Sequence, residues 1–206
     1  MKPIARWVLG VPLLVALLAP PIQAMDYPLS SESIREAYFI GKENLDRRQA
    51  FFQPYRHVMP LPKSGPDVHM IEVETPFALL VDAMARSPIT YHAPDAVQDY
   101  LDEPAPFRVH VEIYLTATYP APTDTPASMH NFWKTFQIHL TQDAEIQPRS
   151  INGALIPDIS EKSIVGATVD ADYDGGKIDR SEPVTVDVDT PDGQKVETTF
   201  AIRDLR

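Results

Sequence analysis

Residues 107–116 read FRVHVEIYLT, and this stretch decides the fold class. Phe107, Val109, Val111, Ile113 and Leu115 point one way, and Arg108, His110, Glu112, Tyr114 and Thr116 point the other. A strict period of two is the mark of a half-buried antiparallel strand, apolar inward and polar outward. Downstream the pattern recurs. Residues 131–141 place Phe132, Phe136, Ile138 and Leu140 on one face, opposite Trp133, Thr135, Gln137, His139 and Thr141. Residues 150–156, 163–169 and 183–189 read as further strands, and Val196, Thr198, Phe200 and Ile202 form a closing one. Asp174-Gly175-Gly176 and Pro191-Asp192-Gly193 are turn signals. Turns recurring about every 8–12 residues along an antiparallel run predict a β-sandwich-like part over 105–206.

Upstream of that run the period changes to that of a helix. Ser30 and Ser31 are N-cap residues with Glu32 in the first turn, and Ile34, Ala37 and Tyr38 form one face. Gly41 fits the position just past the end of that helix. A second helix is expected over 43–52, with Leu45 and Phe52 on its inner side and Pro54 as its stop. Pro60, Pro62, Gly65 and Pro66 mark a loop, and residues 69–74 alternate as a strand. Thr75-Pro76 then opens the clearest helix of the chain, with Phe77, Leu80, Val81 and Met84 as its stripe. Asp82 and Arg86 make an (i, i+4) pair on its outer face. Pro94 starts one more helix, with Val97, Tyr100 and Leu101 inward. The expected architecture is α+β, mainly β: an antiparallel sandwich-like core with a helical segment, residues 28–104, packed on one sheet or its edge. A loop is expected over residues 120–126, where three prolines fall.

The first residues carry a different message. Lys2 and Arg6 precede an apolar run over 7–19, Pro20 and Pro21 break it, and Ala24 is a small residue at a cleavage point. That order matches a secretory signal peptide, whose apolar region runs to about 7–15 residues. A membrane-spanning helix needs about 20 apolar residues, and this run is shorter and contains Pro12. Residues 1–24 are therefore expected to be removed, leaving 25–206 as one exported domain, periplasmic or extracellular, with no transmembrane segment. The chain has no cysteine, which excludes a lipoprotein anchor, disulfides and thiol chemistry. Its net charge is −11, and the signal segment contributes only basic residues, so the exported body is more acidic still. Such a surface repels nucleic acid and anionic headgroups. Solubility alone is a sufficient reason for it.

Three constellations bear on chemistry. Asp170-Ala171-Asp172-Tyr173-Asp174-Gly175 places carboxylates at i, i+2 and i+4 before a glycine, as in the first half of a Ca²⁺ loop. Ser181 stands where an EF-hand would close with an acid, and the flanks read as strands, so an EF-hand is excluded. Asp170, Asp172 and Asp174 remain candidate Ca²⁺ ligands of another geometry, against the simpler reading of a solvated turn. Asp187 and Asp189 on the next strand would crowd them if the two strands formed a hairpin. Second, His110 and Glu112 share a polar strand face, and His139 is expected across from them, a grouping fit for acid–base work. Third, Trp133, Tyr114 and Tyr91 are candidates for an aromatic binding platform, against the simpler reading that the helix beginning at Pro76 covers them. Among the other histidines, His57, His69, His92 and His130, none forms an (i, i+4) zinc signature on a helix. No serine elbow and no phosphate-cradling glycine loop occurs.

The sequence thus favours a non-enzymatic binding or structural module of the cell envelope, with protein or envelope components as its partners. An exported hydrolase using a His/Glu or Asp pair is a second reading, and a Ca²⁺-stabilised adhesion-type domain a third. An enzyme would gather these groups in a concave pocket with shifted titration, whereas a binding module would show a flat or edge-exposed patch.

Overall fold

A computed structural model of the chain describes residues 25–121, 130–160 and 163–206. The expected signal segment and most of the expected 120–126 loop lie outside the described residues. The order of elements is α1 (Ser31–Gly41), α2 (Leu45–Phe52), β1 (Arg56–Val58), β2 (Asp67–Glu74), α3 (Pro76–Arg86), α4 (Ala93–Asp102) and β3 (Phe107–Tyr114). After these come β4 (Gln137–Thr141), β5 (Glu145–Ile146), β6 (Ser150–Pro157), β7 (Ile164–Tyr173), β8 (Val184–Asp189) and β9 (Lys195–Phe200). The fold is α+β and mainly β, with two antiparallel sheets and four helices among the described residues. One sheet runs β1-β2-β3-β7-β6 and the other β5-β4-β8-β9.

The helices start where the sequence supplies caps. The Ser30 hydroxyl accepts from the Ser33 amide, Asn44 Oδ1 from Arg47, and the Thr75 hydroxyl from Ala78. The stripe of α3 is buried as expected, through Phe77, Leu80, Val81 and Met84. Leu45 and Leu101 differ from expectation and are exposed, at 58% and 60%. On α4, Ala96 and Tyr100 face inward, because the Tyr100 hydroxyl reaches back to accept from the Leu29 amide. Val109, Val111 and Ile113 of the first sheet share one apolar core with Ile138, Leu140, Val186 and Val188 of the second, and with Ile34, Phe77 and Val81 of the helices. Burying both sheet faces in one cluster is what makes the arrangement sandwich-like.

Several strand expectations are corrected, among them the closing strand, which ends at Phe200 and leaves Ile202 in a 3₁₀ turn. β1 and β5 are not signalled by the sequence; they are three and two residues long and lie at sheet edges. The strand expected over 131–141 begins only at Gln137, because Phe132–Thr135 form a 3₁₀ turn that the Thr135 hydroxyl closes onto the Phe132 carbonyl. β7 runs on to Tyr173, so Asp170 and Asp172 lie within a strand and not in a turn. Finally, β7 and β8 do not form a hairpin: they belong to different sheets, and Asp187 and Asp189 are separated from Asp170 and Asp172 accordingly.

Candidate functional site

The polar face of β3 is the floor of a cleft. Because strands pair in register, its residues are set in rows that cross the first sheet. One row runs Arg56, Glu72, His110, Asp170 and Asn152, from β1 to β6. The next runs Glu74, Arg108, Asp172 and Ser150. A third sets Met70 beside Glu112. Acid and base alternate along the first two rows, so cross-strand neighbours attract. Arg56 Nε lies 2.8 Å from Glu72 Oε2, His110 Nδ1 lies 2.6 Å from Asp170 Oδ1, and Arg108 Nε donates to Asp172 Oδ1 at 2.7 Å. Helix α3 stands over the Glu74 end and contributes Asp82 and Arg86, which are paired with each other, while Phe52 of α2 closes a side. The space within this open-sided cleft is about 360 Å³, at the small end of the range for ligand pockets.

Burial sets the electrostatics. Glu72 is only 3% exposed, and burial raises its carboxyl above the usual range even though Arg56 pulls the other way. Its Oε1 has no hydrogen-bond partner among the described residues. Glu74 has no cation bonded to it, and burial, reinforced by the charge of Glu72, pushes it up to about 7. Burial works against the charged ring of His110, but the Asp170 bond and the charges of Asp170, Glu74 and Glu72 outweigh it, and His110 stands above its ordinary value. Asp170 is held below its ordinary value: burial opposes this, and the bond and charge of His110 together with Arg108 prevail.

The structure joins two groups that the sequence kept apart. His110 and Glu112 do share a face, with Nε2 4.0 Å from Oε1, but the close partner of His110 is Asp170. His139 is not with them. It sits on β4 in the other sheet, between Glu145 at 2.7 Å and Asp189 at 3.6 Å. Asp170, Asp172 and Asp174 are not gathered around a common point. They bond His110, Arg108 and Arg149 respectively, the last at 2.6 Å. Among the described residues no group of three or more His, Asp or Glu side chains is placed to hold a metal ion. The three aromatic residues are also dispersed: Trp133 lies over Gly153 of β6, Tyr114 meets the His69 ring, and the Tyr91 hydroxyl donates to Asp99 at 2.7 Å. Glu72, Glu74 and Arg56 were not singled out from sequence. The available signal was the alternation of Met70, Glu72 and Glu74 on one strand face, which is also what a solvated face gives.

The chain matches no model of a known protein family, and comparison with the curated proteins finds no match. Among the described residues no helix is long and apolar enough to cross a membrane.

Proposed function

We propose that the chain is an exported binding module that holds a small polar ligand in the cleft over β2, β3 and β7. The observation that carries this reading is the Glu72 carboxyl in the lining of a space of ligand size: the residue is 3% exposed, and its Oε1, beneath the cleft surface, has no partner among the described residues. A group left in that state costs about 1–3 kcal/mol, or more when charged, and a ligand donor would relieve it. Most of the polar groups are already tied into ion pairs, which holds them in place before a ligand arrives. No serine, threonine, tyrosine or lysine is among the residues that line the cleft, so it offers no side-chain nucleophile of the hydroxyl or amine kind. Export rests on the order of basic, apolar and small residues over 1–24. It is consistent with this that Asp26 and Tyr27 already engage the body, through Ser33 and Arg180.

A second reading, an exported acid–base hydrolase, is favoured by the feature expected of an enzyme, titratable groups gathered in a concavity with shifted titration: Glu74, near neutrality, shares the cleft with the His110–Asp170 pair. Amide chemical-shift mapping with a library of small polar compounds separates the possibilities. Binding predicts shifts confined to 70–74, 108–112 and 168–172 with the compound intact afterwards, and hydrolysis predicts its turnover. Shifts that fall elsewhere, or no binder at all, would remove the cleft as the functional site. N-terminal sequencing of the protein recovered from the periplasm or medium of a bacterial host tests export, with Met25 expected as the first residue. An intact Met1 on that material would overturn it.

A further inference from the structure

The cleft has an excess of acid that its own bases do not match. Arg56, Arg108, Arg86 and His110 are each bonded to one carboxylate, namely Glu72, Asp172, Asp82 and Asp170. After these pairings Glu74, Glu112 and the second oxygen of Glu72 remain. Glu112 is 4.0 Å from His110 Nε2, beyond hydrogen-bond reach, and accepts from the Tyr114 hydroxyl, so it has a partner but no cation. Glu74 stands diagonal to His110 and directly opposite Arg108, which is already bonded to Asp172. The free acceptor of Glu72 lies on the same strand face, two residues from Glu74. Two adjacent acceptors of this kind suit N–H donors of a positively charged group. They do not suit a hard metal ion, which would need about six to eight oxygens.

We propose that the ligand of the cleft is an organic cation bearing N–H donors, a guanidinium or a primary ammonium, seated against the carboxyl of Glu74, with the Glu72 carboxyl turning so that Oε1 reaches it from beneath the cleft surface. This rests on the binding reading above and narrows it to a ligand class. A proton consequence follows. Glu74 is faced by Glu72 on its own strand, by Arg108 and His110 on β3 and by Asp82 on α3, and it retains its proton near neutrality. A cation seated beside it favours the ionised form, so binding expels that proton. His110 faces the same space and is destabilised in its charged form by the same cation, so its contribution must be separated from that of Glu74.

Calorimetric titration of the wild-type protein with methylguanidinium, in phosphate and in Tris, reads both binding and proton release without any variant. Release is expected to be about half a proton or more at pH 7, rising toward one at pH 5.5 and vanishing by pH 9. Glu74→Gln is expected to lose most of that release, and Glu72→Gln to weaken binding about 10- to 100-fold. Tetramethylammonium, which has charge but no N–H, is expected not to bind, and Ca²⁺ at equal concentration is expected to give no heat. Binding of methylguanidinium that is indifferent to Glu72→Gln and releases no proton would overturn the inference. So would binding of glutarate in place of methylguanidinium, though the cleft would then still be a ligand site. Failure of every probe, cationic and anionic, would remove the binding reading as well.

Discussion

His110 and Asp170 face each other directly across the β3–β7 ladder, with Nδ1 2.6 Å from a carboxylate oxygen, and each shifts the titration of the other. The histidine is raised, so its share of stability is present below the ordinary imidazole value of 6.5 and is lost as pH rises through the folded value. The aspartate is lowered, so its share is present above its ordinary 3.8 and is lost as pH falls through the folded value. One contact produces both effects, and it is strongest between about pH 4 and 6.5. Asp170→Asn is therefore expected to cost about 2 kcal/mol at pH 5.5 in urea unfolding, and less at pH 9. In the same variant the His110 ring midpoint, followed by NMR, moves down. An unmoved midpoint would show that Asp170 does not hold the ring.

Glu74 gives the opposite sign for a carboxylate. Burial is the first cause of its displacement from 4.5 to about 7, with Glu72 adding to it and His110 and Arg108 resisting. The folded chain holds this proton more tightly than the unfolded chain, so stability declines as pH rises from the ordinary value through 7. Glu74→Gln cannot ionise and removes that decline. The variant is expected to exceed wild type by on the order of 2 kcal/mol at pH 8.5 and to match it near pH 4. Equal stabilities at both pH values would mean that Glu74 ionises freely in the folded protein.

What could be read from the sequence divides along the range of the forces involved. The two faces of Phe107–Tyr114 and the capped start of α3 at Thr75 are local consequences of side-chain alternation and N-cap chemistry, and both are found as read. Partners distant along the chain were not legible. Asp170 lies opposite His110 only because β7, and not β8, pairs with β3, and nothing within the Asp170–Gly175 run distinguishes a long strand from a turn. Spacing alone suggested His139 as the companion of His110, and the division of the strands into two sheets separates them. Glu72 and Glu74 looked like solvated strand positions. Their burial is produced by α3 and Phe52 closing over the sheet, which no pattern within residues 69–74 records.

The helix that makes this wall is held by a close approach at Gly41. A Cβ there would lie 2.5 Å from Met84 Cβ and 2.5 Å from the Val81 carbonyl oxygen, so α1 rests against α3 with no room for a methyl group. The residue is the last of α1 and serves packing, and the position just past the helix end, expected from sequence for Gly41, belongs to Lys42. The contrast is Gly193, whose φ of +83° is left-handed and whose Cβ would meet nothing within 4 Å. Both alanine variants should destabilise, for different reasons. Gly41→Ala must push a backbone carbonyl and is expected to cost about 2–3 kcal/mol, whereas Gly193→Ala bears only turn strain of about 1 kcal/mol. The two also separate at the cleft. Displacing α3 moves Asp82 and Arg86 away from Glu74, so Gly41→Ala should weaken ligand binding there, while Gly193→Ala, in the β8–β9 turn, should leave it unchanged. Equal losses of binding in both variants would indicate that α3 is not the wall that shapes the site.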